Sequence, residues 1–318
     1  MSAFENLSLL RAFAGIVESG SISAAARRLR IPQPTLSRHL RTLEESSGGL
    51  LLRRDTHRMS LTETGHRLLA DARVMLALAE DAQQRLHQDQ TALRGHLRLF
   101  ATIDAGPLIV TQIIAGFLQI NPGVTAELNY SNRPLNMIQE GSDVAFLAGR
   151  IMDESVIARL AVSVERHLVA SAALVKSRPR AKEPDDLKPW PWIALSGAQF
   201  GGPRQVTLYG PKRAEQMLEI SPVFISEGAL SLIEALRAGL GVCIMPDWMI
   251  RDDLFSGRLV RVLPQWHAKE LPFYVAYPVQ RILPARVRAF IDFAVKHITA
   301  RFGTQPNPPG ILRRGKPR

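Results

Sequence analysis

Two prolines stand directly before an amphipathic run in the stretch RIPQPTLSRHLRTLE. Pro32 and Pro34 lack an amide hydrogen and hold φ near a helical value, so both suit the first turn of a helix, where backbone amides have no partner. The buried side of this helix is marked by leucines spaced four and three residues apart: Leu36, Leu40 and Leu43. The sequence therefore predicts a short helix with a stiff start and a polar, basic outer face.

The segment before this helix indicates a helix-turn-helix. Ser23 is expected to cap a short helix over AAARRL, and the small side chains of Ala25 and Ala26 allow another helix to cross closely. An earlier apolar stripe predicts a further helix: Leu7, Leu10, Phe13, Ala14 and Val17. Three short helices joined through the turn LRIPQPT form this motif. The alternative is a surface helix of a helical bundle whose arginines are solvated.

The outer face of the second helix of such a motif favours DNA. A recognition helix places its N-terminal side chains in the major groove, where Arg can bridge guanine and Gln can bridge adenine. The next stretch, SGGLLLRRDTHRMSLTETG, predicts a β-hairpin wing whose arginines meet phosphates. The candidate DNA-binding residues are Ser23, Gln33, Pro34, Thr35, Ser37, Arg38, Arg41, Arg53, Arg54 and Arg58. Residues 1–62 hold nine Arg against five acids, a net of +4, so binding should be sensitive to salt.

The composition of the whole chain agrees with a polyanionic partner. Forty Lys and Arg against 29 Asp and Glu give a formal charge of +11, which favours nucleic acid or an anionic membrane surface. A single cysteine excludes an intrachain disulfide framework and suits a reducing cytoplasm. No signal peptide opens the sequence and no apolar run reaches the roughly 18 residues of a membrane span. We therefore expect a cytoplasmic protein that does not use a membrane.

Motifs for catalysis and cofactors are missing from the sequence. The eight histidines show no HExxH spacing, and no GxSxG, GxGxxG or Walker loop is present. Cys243 lies within the apolar run GVCIMP and is expected to be a buried strand residue, because free Cys packs like a small hydrophobe. Trp190 and Trp192 lie in a Pro-rich turn and are expected to pack rather than stack on a ligand. No cofactor, metal or enzymatic activity is predicted.

A heptad pattern follows the predicted wing. The chain runs from Thr62 to Gln90 without proline, and apolar residues recur at spacings of 4, 3, 4, 3 and 4: Leu68, Ala72, Met75, Ala79, Ala82 and Leu86. A lone helix would expose this seam to water, so the pattern predicts a homodimer through a linker helix, with Leu68 and Leu86 against a second chain. The alternative is an ordinary helix that packs on its own domain.

Beyond Leu97, short strand-like runs alternate with helical stripes, which predicts an α/β fold with parallel sheets covered by helices. Two sets of strands suggest two lobes. The predicted organisation is a DNA-binding domain at 1–62, a linker helix at 63–93, an effector domain at 94–298 and a basic tail at 299–318 that is expected to be disordered. Within the effector domain, lobe 1 takes about 94–165 and 268–298, and lobe 2 about 166–267.

With these motifs in place, the sequence resembles the LysR-type transcriptional regulators from about Leu7 to His297. The resemblance rests on LRAFAGIVESGSISAAARRLRIPQPTLSRHLRTLEE and LTETGHRLL in the first part, and on FLQINPGV, SDVAFLAG and AGLGVCIMPDWMIRDDLFSGRLVRVLP in the second. It implies a winged helix-turn-helix, a linker-helix dimer that usually forms a tetramer, and a two-lobed effector domain like periplasmic binding proteins. Double-stranded DNA, a small-molecule effector and RNA polymerase are the implied partners. Pro32 and Ser47 depart from the family pattern.

A cleft between the lobes is the expected effector site, because ligands of open α/β sheets collect beyond the carboxyl ends of strands. The resemblance implies effector contacts from residues after those strands: Thr102, Asp104, Ser131, Asn132, Gly149, Ser196 and Ser226. Helix N-termini at such a cleft favour an anionic group. Arg133 or Arg150 could complete a carboxylate site, whereas Asp104 would oppose it. The alternative role of these polar residues is helix capping or turn formation.

The leading prediction is therefore a sequence-specific transcription regulator that a small molecule switches. A solute-binding protein of the same two-lobed fold, without a gene-regulatory role, is the alternative, and the predicted wing speaks against it. An enzyme that uses the cleft is a third option, but no nucleophile is paired with a base.

Overall fold

The N-terminal helices form because their apolar residues share one core. The computed structural model describes residues 6–54, 59–86, 93–132, 137, 141–151, 155–197, 202–279 and 283–303. Helix α1 spans Leu7–Ser19, α2 spans Ile22–Leu29 and α3 spans Gln33–Ser47. The apolar stripes of all three meet in one cluster, in which Phe13 and Leu36 are fully buried. The predicted helix-turn-helix is confirmed, and α3 begins after Pro32 without a side-chain cap.

A short hairpin and a long helix complete this part of the chain. Strands β1 (Leu52–Arg54) and β2 (Met59–Leu61) pair antiparallel, as predicted for the wing. The Glu44 carboxylate accepts hydrogen bonds from the amides of Leu51, at 2.9 Å, and Leu52, so the hairpin is fixed to α3. Helix α4 then spans Glu63–Leu86.

The start of the heptad pattern in α4 packs on its own domain. Leu68 and Ala72 are buried in the same cluster as the helix-turn-helix core, so the prediction that Leu68 meets a second chain is wrong. The same spacing serves both purposes, because one helical face can cover either a neighbouring domain or a partner helix. Met75 is the first seam position that is exposed, at 37%. The side chain of Leu86 lies outside the described residues.

The rest of the chain folds into two α/β lobes joined by two long strands. In chain order the elements are β3 (Gly95–Ala101), a π-helical turn (Gly106–Val110), α5 (Thr111–Ile120), β4 (Val124–Tyr130), β5 (Val144–Ala148), β6 (Val156–Ser171), α6 (Ala172–Lys176), β7 (Trp192–Leu195), β8 (Gln205–Tyr209), β9 (Glu215–Glu219), β10 (Pro222–Ser226), α7 (Ala229–Arg237), β11 (Cys243–Pro246), α8 (Asp247–Phe255), β12 (Leu259–Arg261), β13 (His267–Pro278) and α9 (Ala285–Phe302).

The sheets are mixed rather than purely parallel. Strand β3 runs parallel to β4 and β5, and β7 runs parallel to β10, as predicted. Strands β6 and β13 are antiparallel to each other over most of their length and pass from one lobe to the other. Because β11 and β5 pair antiparallel with these two strands, the expectation of parallel sheets alone is wrong.

Each lobe has its own core. In lobe 1, Phe117, Phe146 and Phe290 meet edge to face beneath α5 and α9, with ring centres of Phe117 and Phe290 5.1 Å apart. In lobe 2, Trp192 is buried and its indole N–H donates to the Leu187 carbonyl at 2.9 Å, so this tryptophan packs as predicted. The cores are separate, and the long strands β6 and β13 pass between the two lobes.

Several predicted features fall outside the described residues. These are the tail from residue 304 onward, the tip of the wing at 55–58, and Arg133. Within the described residues, no helix is both long enough and apolar enough to cross a membrane.

Candidate DNA-binding surface and effector cavity

The outer face of α3 presents the side chains predicted to meet DNA. Gln33, Pro34, Arg38 and Arg41 are exposed, while Thr35 and Ser37 are partly buried. The three leucines of α3 are buried on the opposite side. The Arg41 guanidinium pairs with a carboxylate of its own helix, Glu45, at 2.9 Å, and both remain exposed, so the pair can open at little cost. Arg38 has no ion-pair partner among the described residues.

Ser23 does not cap α2. Ser21 does so, because its side chain accepts a hydrogen bond from the Ala24 amide at 3.1 Å. Ser23 is exposed in the first turn of α2 and its hydroxyl donates to the Gln33 side chain at 3.2 Å. This contact joins the starts of the two helices of the motif on the face where DNA is expected.

The structure describes the side chain of one of the three wing arginines. Arg53 is exposed and lies opposite Ser60 in the antiparallel pair. The side chain of Arg54 and all of Arg58 lie outside the described residues. Arg53 is thus the wing arginine whose exposed side chain the structure describes.

A cluster of charges joins the helix-turn-helix to the effector domain. Glu18, near the end of α1, forms ion pairs with Arg28 of α2, at 2.6 Å, and with Arg98 of β3. Arg73 of α4 approaches the same carboxylate at 4.0 Å. Burial, followed by the charge of Arg98, lowers the pKa of Arg73 below its ordinary value. One carboxylate therefore attracts three guanidinium groups, one each from α2, α4 and β3. We call these four side chains the Glu18 cluster.

A glycine makes room for this cluster. The Arg73 guanidinium donates to the Gly141 carbonyl at 3.5 Å. Gly141 has φ +62°, and a Cβ atom at this position would lie 1.7 Å from Arg73 Nη1. The positive φ favours glycine here, and a Cβ atom would displace the Arg73 guanidinium from its present position.

A large cavity lies between the two lobes and next to the crossing strands, with a volume of about 1420 Å³. The wall includes four of the predicted effector residues: Thr102, Asp104, Asn132 and Gly149. Further polar and charged residues in it are Arg150, Arg166, Gln205, Thr207, Tyr209, Lys269, Glu270 and Tyr274. Much of the remaining wall is apolar, which is typical of a small-molecule site.

Asp104 and Asn132 bridge the lobes at this cavity. The Asp104 carboxylate accepts hydrogen bonds from the amides of Ala229, at 2.8 Å, and Leu230, at 3.2 Å, in the first turn of α7. Burial raises the pKa of Asp104, and these two amides act in the opposite sense. The Asn132 amide donates to the Glu227 carbonyl, and its oxygen accepts from the Ile103 amide at 3.1 Å. The first turn of α7 is therefore occupied by a carboxylate of the protein itself.

Only some of the other predicted effector residues line the cavity. Thr102 is buried in the cavity wall, and Gly149, at φ +87°, also lines it while its amide donates to the Pro272 carbonyl. Ser131, Ser196 and Ser226 do not line the cavity. The Ser226 hydroxyl accepts from the Gly228 amide at 3.1 Å, and the Ser196 amide donates to the Ser226 carbonyl, so these two residues shape the turn before α7.

Arg166 is a cavity residue that the sequence did not reveal. It lies on β6 within an alternating strand pattern, where a basic residue resembles an ordinary solvent-facing side chain. The nearby thiol of Cys243 is buried as predicted, and burial raises its pKa to about 12, so it stays protonated. No group of three or more His, Cys, Asp or Glu that could hold a metal ion is found in the part of the chain that is described.

A winged helix-turn-helix followed by two lobes around a cavity defines a class of DNA-binding proteins that respond to ligands. Family models agree over both parts: the bacterial regulatory helix-turn-helix protein, lysR family, matches residues 7–66, and the LysR substrate binding domain matches residues 90–299. The chain belongs to the LysR family of transcriptional regulators, which are not enzymes, and it carries the family's effector-binding domain.

Individual relatives cover nearly the whole chain. The HTH-type transcriptional regulator PtxR of Pseudomonas aeruginosa is 29% identical over 293 residues, which are 92% of this chain and 93% of PtxR. The transcriptional activator AaeR of Escherichia coli is 25% identical and covers 91% of this chain and 92% of its own length. The full-length structure of the Vibrio cholerae virulence activator AphB is 27% identical with a TM-score of 0.58, and covers 92% of this chain and 99% of AphB.

Proposed function

We propose that this protein binds a specific DNA site through α3 and the wing, and that a small molecule in the interlobe cavity switches its effect on transcription. The observation that carries the DNA-binding part is the exposed N-terminal half of α3, with Gln33 and Arg38 outward and leucines inward. Side chains at these positions reach base edges in a helix-turn-helix complex. Arg53 on the wing would contact phosphate beside the groove.

Arg38→Ala tests this surface in a competition gel shift on DNA from upstream of the gene. We expect the variant to remain folded and to lose its preference for that DNA over unrelated DNA, because a recognition-helix Arg contributes about 1–3 kcal/mol of base discrimination. Arg11→Ala is the matched control, since Arg11 is an exposed arginine on α1. The control should keep the preference. Unchanged specificity in the Arg38 variant would remove α3 from the base contacts.

The full-length relatives suggest an oligomer, and we propose a homodimer along α4 that assembles further into a tetramer. Support comes from Met75, a heptad position of α4 that is exposed, whereas Leu68 and Ala72 cover their own domain. Met75→Glu should therefore shift the sedimentation coefficient toward a smaller species. A wild-type sedimentation profile would place the dimer contact elsewhere. Contact with RNA polymerase at the promoter completes the proposed set of partners.

The cavity supports the effector part of the proposal. Its wall draws residues from both lobes and from the crossing strands, so a ligand there contacts both lobes at once. A ligand shifts an equilibrium between two arrangements only when it binds them with different affinity. Thr102, Asn132 and Gly149 are the effector contacts that we propose within this wall. A solute-binding protein without a gene-regulatory role does not need the exposed, basic surface of α3 and the wing, so this alternative is not favoured.

A further inference from the structure

The turn between α2 and α3 contains an arginine in a backbone conformation that few L-residues adopt. Arg30 has φ 55° and ψ 39°, in the left-handed helical region. Many helices end with one residue in this conformation, but Gly or Asn usually occupies it, because a longer side chain brings its Cβ atom too close to the next carbonyl oxygen. An arginine at this position is therefore strained, which indicates a role other than stability.

The turn needs a left-handed residue but does not need arginine. The amides of Arg30 and Ile31 both donate to the Ala26 carbonyl, at 3.2 Å for Ile31, so α2 ends here and the chain turns into α3. Glycine or asparagine would make the same backbone hydrogen bonds with less strain. A cation also interacts favourably with the end of a helix, but the last turn of α2 already holds Arg27 and Arg28. Neither the turn nor the helix dipole explains the choice of arginine.

The side chain of Arg30 is exposed and carries its charge into solvent. Among the described residues, none forms an ion pair or a side-chain hydrogen bond with it. Its neighbour Arg28 differs, because Arg28 is paired with Glu18 at 2.6 Å. The Glu18 cluster thus engages Arg28 and leaves Arg30 as an exposed cation next to the start of α3.

The position of Arg30 in the chain places it at the edge of the proposed DNA-binding surface. Gln33, the first residue of α3, is three residues further on, so the two Cα atoms lie within about 11 Å of each other. In a helix-turn-helix complex the start of the recognition helix enters the major groove, which is about 12 Å wide and bordered by phosphates. An arginine in the preceding turn therefore lies near the phosphates rather than the base edges.

We propose that Arg30 binds a DNA phosphate at the border of the major groove, and that the turn retains a strained arginine for this contact. This inference rests on the proposed function, because it adds a residue to the DNA-binding surface of α3 and the wing. The sequence did not single out Arg30 for this role. A phosphate contact carries no base preference, but it fixes the position of the protein on the duplex and so sets Gln33 and Arg38 against the bases.

The test compares Arg30→Asn with the wild-type full-length protein by fluorescence anisotropy, using DNA from upstream of the gene and an unrelated duplex at several salt concentrations. Loss of one phosphate contact should flatten the slope of log K against log salt by about 0.9. At about 0.15 M salt this change corresponds to a roughly fivefold loss of affinity, equal for both duplexes. Arg30→Lys should recover most of the affinity, because lysine also binds phosphate through its charge.

Thermal unfolding followed by circular dichroism separates this role from a structural one. Arg30→Asn should melt at or above the wild-type temperature, because asparagine adopts the left-handed conformation with less strain. Arg213→Asn is the matched control, since Arg213 is also exposed and has φ 63°, but lies in the turn between β8 and β9. This control should also be at least as stable as the wild type, and its DNA binding should be unchanged.

Three results would overturn the inference: a clearly lower melting temperature for Arg30→Asn, an unchanged salt slope, or an equal loss of affinity in Arg30→Lys and Arg30→Asn. An equal loss in Arg213→Asn would overturn it as well, because the effect would then report the net charge of the protein and not a contact. If the wild type shows no preference for the upstream DNA over the unrelated duplex, the proposed function is rejected instead.

Discussion

Glu18→Gln should uncouple the DNA-binding part of the chain from the effector domain. The change keeps the size of the side chain but removes the charge that holds Arg28, Arg73 and Arg98. Only the pair with Arg28 lies within the helix-turn-helix. The pair with Arg98 crosses to β3, and Arg73 also touches the Gly141 carbonyl of the effector domain. A single neutral substitution therefore disrupts the ionic contact between the two parts.

The magnitude follows from the exposure of the groups. A fully exposed ion pair contributes about 0.2–1 kcal/mol, and the Arg73 and Arg98 side chains are only 18% and 20% exposed, so the upper end of that range applies. The loss of two such contacts, with Arg73 and Arg98 left to repel each other, gives about 2 kcal/mol. For a domain of fewer than a hundred residues, this lowers the melting temperature by about 10 °C.

Two optical signals distinguish the domains. All four tryptophans lie beyond residue 189, in the effector domain, whereas circular dichroism at 222 nm reports helices in both parts. We expect Glu18→Gln to melt first by circular dichroism and later by tryptophan fluorescence. Arg28→Gln is the comparison, because it leaves Arg98 and Arg73 beside Glu18 and should cause a smaller shift. If the two signals of the Glu18 variant coincide at the wild-type temperature, the Glu18 cluster does not couple the domains.

Three further changes test separate parts of the structure. Arg53→Ala should weaken binding to all DNA sequences alike and flatten the slope of log K against log salt by about one, whereas an unchanged slope would exclude a phosphate contact. Thr102→Val should reduce effector affinity by roughly tenfold, measured as a reporter dose response, with promoter occupancy unchanged when no effector is present. Asp253→Asn should cost about 2–3 kcal/mol in urea unfolding, because the buried carboxylate accepts from Arg237, at 2.7 Å, and from Arg258, at 2.8 Å. The hydrogen bond from Arg237 lowers the pKa of Asp253, so this stabilisation is complete above about pH 4 and is lost as the pH falls toward the lowered pKa. A variant whose stability falls with pH in parallel with the wild type, at a constant difference through this range, would contradict the assignment.

Sequence patterns were sufficient to predict an element when the residues of that element alone determine its conformation and its buried side. The prolines and leucines around α3 predicted its start, its buried side and its exposed side, because a helix sorts its residues by angle about its axis. The hairpin β1–β2 and the strands of lobe 1 were similarly readable from alternation and turns. The resemblance to LysR-type regulators drew on the same motifs and led to the correct family.

Features that depend on two distant segments were decided only by the tertiary structure. The heptad spacing specified an apolar face of α4, but packing assigned Leu68 to the core of its own domain. Strand β8 pairs with β9, its neighbour along the chain, and with the distant strand β13, and the second pairing is not visible in the sequence of β8 itself. From the sequence alone, the negative charge of Asp104 argues against an anionic ligand nearby. In the fold, its carboxylate accepts a hydrogen bond from an amide in the first turn of α7.

The same distinction explains Arg166 and the Glu18 cluster. In the sequence these arginines occupy ordinary polar positions of strands and helices. The partner of Arg98, Glu18, is 80 residues away along the chain, and that of Arg166, Lys269, is 103 residues away. Periodicity fixes which face of an element a side chain occupies, since it depends on local backbone geometry. The counter-charge that meets that side chain, or its absence, depends on how separate elements pack, and only the folded chain brings those groups together.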